Sequence, residues 1–435
     1  MLEKKGMDRR NFIKNSALGV VGAGMIVKEP MFKSEEKGKK EPQKIKSFRV
    51  LGRTEFKVSD IGGGYLNDEG VINAMLDAGV NYIDTAESYG NQRVIGSAIK
   101  NRDRKKLFIT SKLEIKKDVS KEGFLKRTRK CLEELQTDYI DCMMMHCAET
   151  VNVLKTEGFH KAMDQLKKEG RVRFVGVSNH GSFWFRDPEE TMEKVLLAAA
   201  ADGRFDVILL AYNFLQMDMG EHVLRVCKEK NIGTALMKTT PVVKYYGLKA
   251  RIEELQKQGK EVSEFYLKGL ERFKQKAEKA EGFIKKYNLK NPEEIRDASI
   301  RFVLDNPDVS TVCCSMRNFN DVERFVSLSG TGLSYVEKKK LTAYKKSWGE
   351  LYCRHACGVC ETSCPNNVPV NTIMRYNHYF DAQAREKYAM VKYAEIPGTN
   401  AKECFSCTGI CESACPYDLP VQGMLTMAHE QLSLA

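Results

Sequence analysis

The sequence predicts an α/β chain in which a (β/α)8 barrel is followed by a small, mostly helical, cysteine-rich domain. Three observations predict it. Short apolar runs rich in β-formers recur along residues 58–313 with helical patterns between them, eight of fourteen cysteines fall after residue 350, and a polar Lys/Glu/Pro-rich stretch sets the N-terminus apart.

The strand runs are 80–85 (VNYIDT), 107–111 (LFITS), 138–145 (DYIDCMMM), 172–177 (VRFVGV), 206–211 (DVILLA), 232–237 (IGTALM) and 309–313 (VSTVC), with Val58 to Gly62 as the first. Continuous apolar strands joined by helices are the pattern of a parallel sheet buried on both faces. Eight of them over roughly 260 residues match the size of a closed barrel. Between strands, residues 121–136 place Phe124, Thr128, Cys131, Leu132 and Leu135 on one helical face. A doubly wound sheet is the alternative, but its G-x-G-x-x-G after the first strand is not supplied by Gly62-Gly63-Gly64. The barrel is placed at 48–335. Within it, 245–290 is a Lys/Glu-rich helical insertion with Val262, Tyr266, Leu270, Phe273, Ala277, Ala280 and Ile284 on one stripe. That stripe reads as a helix packed on the barrel or, more sharply, as a lid over a cofactor.

The 42% apolar content is enough for a sizeable core. Formal net charge is +12, yet residues 1–49 carry thirteen Lys/Arg against six Asp/Glu and so hold most of it. The remainder is only mildly basic, and no nucleic-acid partner is implied. At the N-terminus, residues 1–27 place Arg9 and Arg10 before Phe12, Ile13 and Lys14, then run through small and apolar residues to Val27. This segment is too short to span a bilayer, so no membrane span is expected in the mature chain. It resembles a twin-arginine export signal, which implies a periplasmic or cell-envelope location. No A-x-A follows it, so cleavage is left open. Residues 28–47 are a linker too polar to order itself.

In the C-terminal domain, 345–435, Cys353, Cys357, Cys360 and Cys364 are spaced C-x3-C-x2-C-x3-C-Pro, and Cys404, Cys407, Cys411 and Cys415 C-x2-C-x3-C-x3-C-Pro. Each run is the two-cluster ferredoxin pattern with one residue inserted, and points to two 4Fe-4S clusters. In such ferredoxins the cysteine before the proline ligates the other cluster. Cys353, Cys357, Cys360 and Cys415 would then hold one, and Cys404, Cys407, Cys411 and Cys364 the second. Structural zinc and disulfides are the rivals. The gap between the runs, with 371–393 helical in pattern, suits a helical two-cluster module better than a compact β ferredoxin. Cys131, Cys142, Cys147, Cys227, Cys313 and Cys314 read as buried small side chains, with the adjacent Cys313-Cys314 pair a weaker metal candidate.

Chemistry in a barrel belongs at the C-terminal ends of the strands. Asp84 ends the second strand, Tyr89 follows in "DTAESYG", Lys112 follows the third, and His146 ends the fourth. Hydride addition to a carbonyl leaves charge on oxygen, and a positioned acid on that oxygen contributes roughly 10²–10⁴-fold. Tyr89 would be that acid, Lys112 the cation that eases its proton away, Asp84 the anchor of the ammonium, and His146 the group that orients the substrate oxygen.

These four residues and the words around them, "FRVLGRTEFKVSDIG", "GVNYIDTAESYG" and "VRFVGVSNH", resemble the aldo-keto reductase family over residues 48 to about 330. The cysteine runs and N-terminus resemble the subgroup with a C-terminal ferredoxin-like 4Fe-4S domain and a twin-arginine signal. The resemblance implies NAD(P)(H) as cofactor and a small carbonyl or alcohol as substrate. It assigns Ser178 and Asn179 to the nicotinamide carboxamide, Met237 and Lys238 to the nicotinamide surroundings, and Ser315, Met316 and Arg317 to the phosphate and adenosine end. The chain departs from the family at Leu209, where a glutamine is usual, at Met237, where many stack a tyrosine, and at Phe325, where asparagine is common. Asp321 occupies a position often basic in NADP-binding members and would repel a 2′-phosphate. The implied function is carbonyl reduction coupled through the clusters to an external redox partner. Two rivals are a catalytically silent barrel acting as an electron-transfer or binding module, and clusters that only staple the tail.

Overall fold

The computed structural model describes residues 43–180, 189–217, 219–241, 245–271, 274, 292–348, 352–383 and 385–433. Residues 1–42, on which the expected export signal and most of the expected linker fall, lie outside the described residues. Residues Pro42–Ala435 form one compact unit.

Among the described residues, ten strands run in chain order: β1 Phe48–Val50, β2 Lys57–Ser59, β3 Ile61–Gly63, β4 Tyr82–Asp84, β5 Phe108–Glu114, β6 Ile140–His146, β7 Val172–Asn179, β8 Val207–Ala211, β9 Gly233–Met237 and β10 Thr311–Cys314. Strands β3 to β10 close into a barrel, each parallel to its neighbours, with β10 paired back onto β3. The eight strand positions agree with the sequence pattern except at the start. The run at 58–62 is two strands. Its first part, β2, pairs antiparallel with β1, and its second, β3, enters the barrel. The break falls at Asp60, whose carboxylate accepts from the Ser329 hydroxyl at 2.6 Å and the Gly330 N–H at 2.8 Å. A buried carboxylate needs such partners, and supplying them turns the chain out of the hairpin.

The two-residue period of each strand sorts side chains between two cores. On β6, Cys142 and Met144 join Tyr82, Phe108, Val207, Leu209 and Ala235 inside the barrel, with Leu51 and Val58 of the hairpin region. Met143 and Met145 face outward into the layer shared with the helices. Phe56 meets Phe108 at 5.4 Å with the rings tilted at 58°, so the hairpin stoppers the barrel floor. Leu209 is a filler of this interior.

Beyond the barrel come helices Tyr335–Trp348, Val370–Gln383, Glu386–Ala394 and Val421–Leu432, and the cysteines sit on three short turns and the loops beside them. Their core, including Ile373, Tyr376, Leu425 and Ala428, is continuous with Phe214, Leu215, Ile295 and Ala298 from the barrel side. Burying side chains of this size contributes about 1.5–3 kcal/mol each, so the two parts are joined by an apolar seam. The insertion contributes helix Tyr245–Lys257 and helix 264–271. Its stripe residues Val262, Tyr266 and Leu270 pack on this second core, and Phe265 meets Phe405 at 4.5 Å. The stripe therefore covers the cysteine-rich segment, where expectation put it on the barrel. Gly269 explains the closeness: a Cβ there would lie 2.3 Å from Met427 Cγ. Phe273, Ala277, Ala280 and Ile284 lie outside the described residues. No helix among the described residues is long and apolar enough to cross a membrane.

Candidate active site

At the C-terminal rim, Lys112 Nζ donates to Asp84 Oδ2 at 2.6 Å and to the Thr85 carbonyl at 2.7 Å. The same nitrogen lies 4.7 Å from the centroid of the Tyr89 ring, and Tyr89 meets His146 edge-on at 5.7 Å. Four residues from β4, its following loop, β5 and β6 are thus brought together. Tyr89 is partly open to a cavity, while Asp84, Lys112 and His146 are buried.

Burial lifts the Asp84 carboxyl above its usual range, and the ammonium beside it opposes the lift. Burial, then the cations of Lys112, Arg375 and Arg385, hold His146 well below the usual imidazole value, so it is neutral and offers a hydrogen bond, not a charge. Tyr89 differs from the expectation. Burial first and the Asp84 carboxylate second push its phenol well above the ordinary value, and the opposing cation is Arg385.

The cavity, about 1120 Å³ including its open mouth, is lined by Asp84, Tyr89, Met237, Lys238, Ser315 and Arg317, among others. Four of the seven predicted cofactor contacts are therefore on its wall. Three are not. The Ser178 hydroxyl accepts from Cys147 N–H at 3.0 Å, and the Asn179 amide donates to the Ala148 carbonyl at 2.7 Å, so both hold the loop after β6. Met316 is buried in the outer core. Lys238 meets two imidazoles, His180 Nδ1 at 3.3 Å and His355 Nδ1 at 3.1 Å. Burial and Arg375 drive its ammonium well below the usual lysine value.

Asp321 is corrected too. It bonds Arg317 through Nε and the backbone N–H, both at 3.0 Å, and does not line the cavity. Its charge holds the arginine and does not face a ligand. Arg296, on the same wall, has a lowered pKa from burial and from Arg324 and Arg317 beside it. Two guanidiniums with a mutual penalty are a ready phosphate site.

The aldo/keto reductase profile matches residues 63–343, well over half of the chain. The chain belongs to the aldo/keto reductase family. Among curated relatives, methylglyoxal reductase DkgB of Salmonella typhi is 33% identical over 147 residues, 33% of this chain and 52% of that protein. An aldo-keto reductase of Mycolicibacterium paratuberculosis is 36% identical over 135 residues, covering 30% of this chain and 44% of its own length. The chain spans about half the length of these relatives. Among solved structures, an aldo-keto reductase from Klebsiella pneumoniae in complex with NADPH aligns with TM-score 0.48 at 20% identity, over 70% of this chain and 95% of that one.

The cysteine runs lie past the family match. Cys353, Cys357, Cys360 and Cys415 line one small cavity, and Cys364, Cys404, Cys407 and Cys411 line another. All eight are free thiols. Burial and neighbouring thiols push Cys404 and Cys411 up to about 12, so as bare thiols they stay protonated and a bound cation must draw off the protons. Gly358 (φ 74°) and Gly409 (φ 83°) start the turns that carry Cys360 and Cys411, a left-handed conformation that glycine adopts without strain.

Sequence reasoning missed several groups. His180 sits 3.0 Å from Cys147 Sγ, and with His146 the three ligand atoms lie within 4.8 Å of one another. His180 ends the "SNH" segment and His355 stands between two cysteines, so both were open to suspicion. Tyr65, which meets Tyr89 at 5.8 Å, and Arg385, 4.9 Å from the Tyr89 ring, gave no signal, because only tertiary packing brings them there.

Proposed function

We propose that this aldo/keto reductase interconverts a small carbonyl compound and its alcohol with NAD(P)(H), and that two 4Fe-4S clusters in the C-terminal domain exchange electrons with an external partner. The observation that carries the first part is the meeting of Asp84, Tyr89, Lys112 and His146 on one rim, where Asp84 and Tyr89 line the cavity and Lys112 and His146 are buried directly behind them. The nicotinamide, when bound, supplies a hydride to the carbonyl carbon and is left oxidised by two electrons. Tyr89 gives its proton to the oxygen as the C=O π pair moves there, and solvent returns the proton. His146, neutral, hydrogen-bonds that oxygen. Lys112, fixed by Asp84, keeps a positive charge under the phenol ring as phenolate forms. Arg296 and Arg317 would hold phosphates, and with Asp321 engaged they accommodate NADP(H) as well as NAD(H).

Support for the clusters is the crossed gathering of the cysteines, since a ligand from each run sits with three of the other. Each hydride equivalent carries two electrons and each cluster passes one, so two clusters match one nicotinamide. The chain would be exported by the twin-arginine route, its clusters inserted beforehand, and Arg9→Lys with Arg10→Lys would hold it in the cytoplasm.

The engagement of Ser178, Asn179 and Lys238 favours a second reading, a catalytically silent barrel. Anaerobic protein assayed for NADPH and NADH oxidation against a carbonyl panel, with Tyr89→Phe as control, separates the two. Turnover abolished by the variant supports the reductase. No turnover and no nicotinamide binding would leave the silent barrel. Iron and sulfide analysis with EPR tests the clusters, and zinc in their place would sink them.

A further inference from the structure

Two charged residues on the cavity wall, Asp381 and Arg385, come from beyond the family-matched segment, and of these Arg385 is the buried one. Arg385 follows helix Val370–Gln383 and opens helix Glu386–Ala394. Its N–H donates to the Tyr379 carbonyl at 3.1 Å, and its carbonyl accepts from Ala389 N–H at 2.9 Å, so its backbone is pinned. The side chain is buried, at 5% exposure, and reaches the same cavity wall as Asp84 and Tyr89.

Four phenol rings surround it. The guanidinium carbon lies 3.9 Å from the Tyr388 centroid, 4.3 Å from Tyr65, 4.9 Å from Tyr89 and 5.3 Å from Tyr379. Ring faces fix a guanidinium plane but do not take its hydrogen bonds. Nε and Nη2 are buried without a hydrogen-bond partner among the described residues. A buried cation with open donors is costly unless an anion meets it. The acids nearby do not. Asp84 is bound to Lys112 at 2.6 Å, and Asp381 is exposed, with Oδ1 3.4 Å from Gln431 Nε2.

We propose that Arg385 binds the carboxylate of the substrate, which is therefore a small oxo acid or the matching hydroxy acid. The inference rests on the reductase reading of the same cavity. A planar carboxylate fits the guanidinium fork through two parallel hydrogen bonds. The anion belongs to the substrate because Arg385 sits over Tyr89, the group that protonates the carbonyl oxygen. Cofactor phosphates have Arg296 and Arg317, which neighbour each other near β10. The C-terminal domain thus closes the substrate end of a pocket that the barrel alone leaves open.

The test compares glyoxylate, pyruvate and 2-oxoglutarate with their methyl esters, on holoprotein, wild type against Arg385→Gln and Arg385→Lys. Wild type should prefer acid to ester in kcat/KM, and Arg385→Gln should cut that preference roughly 100-fold. Arg385→Lys should restore part of it, which also shows that the pocket still folds. Equal loss on acid and ester in Arg385→Gln, or a wild type that prefers esters, overturns the assignment. Calorimetric binding of the same acids and esters to NADP⁺-loaded protein reads the site without turnover. Acid-selective binding that Arg385→Gln removes upholds the anion site even if the reductase reading fails, whereas wild-type affinity equal for acid and ester overturns it.

Discussion

The barrel and the cysteine-bearing segment are held together by different means. Barrel strands pair with neighbours on both sides and bury side chains inward and outward, with carboxylates such as Asp141 and Asp206 accepting from strand N–H groups at Ile109 and Val175. The C-terminal segment has no strand among its described residues and arranges short turns and helices around two small cysteine-lined cavities. Both are stabilised by area removed from water, and under the proposed function the second gains further stability from the clusters its thiols would hold. The lesson is that the reactive centre does not respect this division. Tyr89 belongs to the barrel, while the cation that opposes its raised pKa, Arg385, belongs to the other part.

The largest effect that separates the regions is Tyr89→Phe. It should lower carbonyl reduction by about 10²–10⁴-fold and leave the iron content and visible spectrum of the C-terminal domain intact. Loss of both together would mean that the division is false. Next, Cys415→Ser should damage the same cluster as Cys353→Ser, and Cys364→Ser the same as Cys411→Ser, as read by EPR on each variant. If Cys415→Ser instead copies Cys411→Ser, each run binds its own cluster and the crossed arrangement is wrong.

The legibility of the sequence followed the same line. Strand positions could be read because apolar runs of fixed length have few alternatives, and Asp84, Lys112 and His146 could be read because strand ends are where a barrel does chemistry. The split of the first strand could not, since it depends on Ser329 and Gly330, some 270 residues away, receiving Asp60. Ser178 and Asn179 show the limit of resemblance. The residue types fit the family, but their hydrogen bonds go to Cys147 and Ala148. Arg385 lies in a stretch that is helical in pattern, but that pattern does not mark its side chain for the site, and only the packing of helix Val370–Gln383 over the barrel mouth brings it to Tyr89.

Two smaller predictions sharpen the comparison. His146 and His180 are both held neutral, by burial first and neighbouring cations second. In the unfolded chain they take up protons below about pH 6.5, whereas the folded protein does not. Their contribution to stability is therefore fully present above that pH and is lost as pH falls through the lowered folded values. Melting temperature should drop from pH 7 to pH 5, and His180→Gln should flatten the slope. An unchanged slope would mean that His180 is charged in the fold. The smallest effect is local: Gly269→Ala should cost about 1–3 kcal/mol by pressing on Met427, read as faster proteolysis of the insertion with barrel turnover retained.

The central claim is that a two-electron site in the barrel and one-electron centres in the C-terminal domain form one redox unit. The direct measurement is to add NADPH, then NADH, to anaerobic oxidised protein and follow the iron-sulfur absorption and EPR signal. The account predicts cluster reduction that needs no carbonyl compound and is reversed when an external acceptor is supplied. Steady carbonyl turnover with clusters that neither nicotinamide nor substrate ever reduces or oxidises would contradict it.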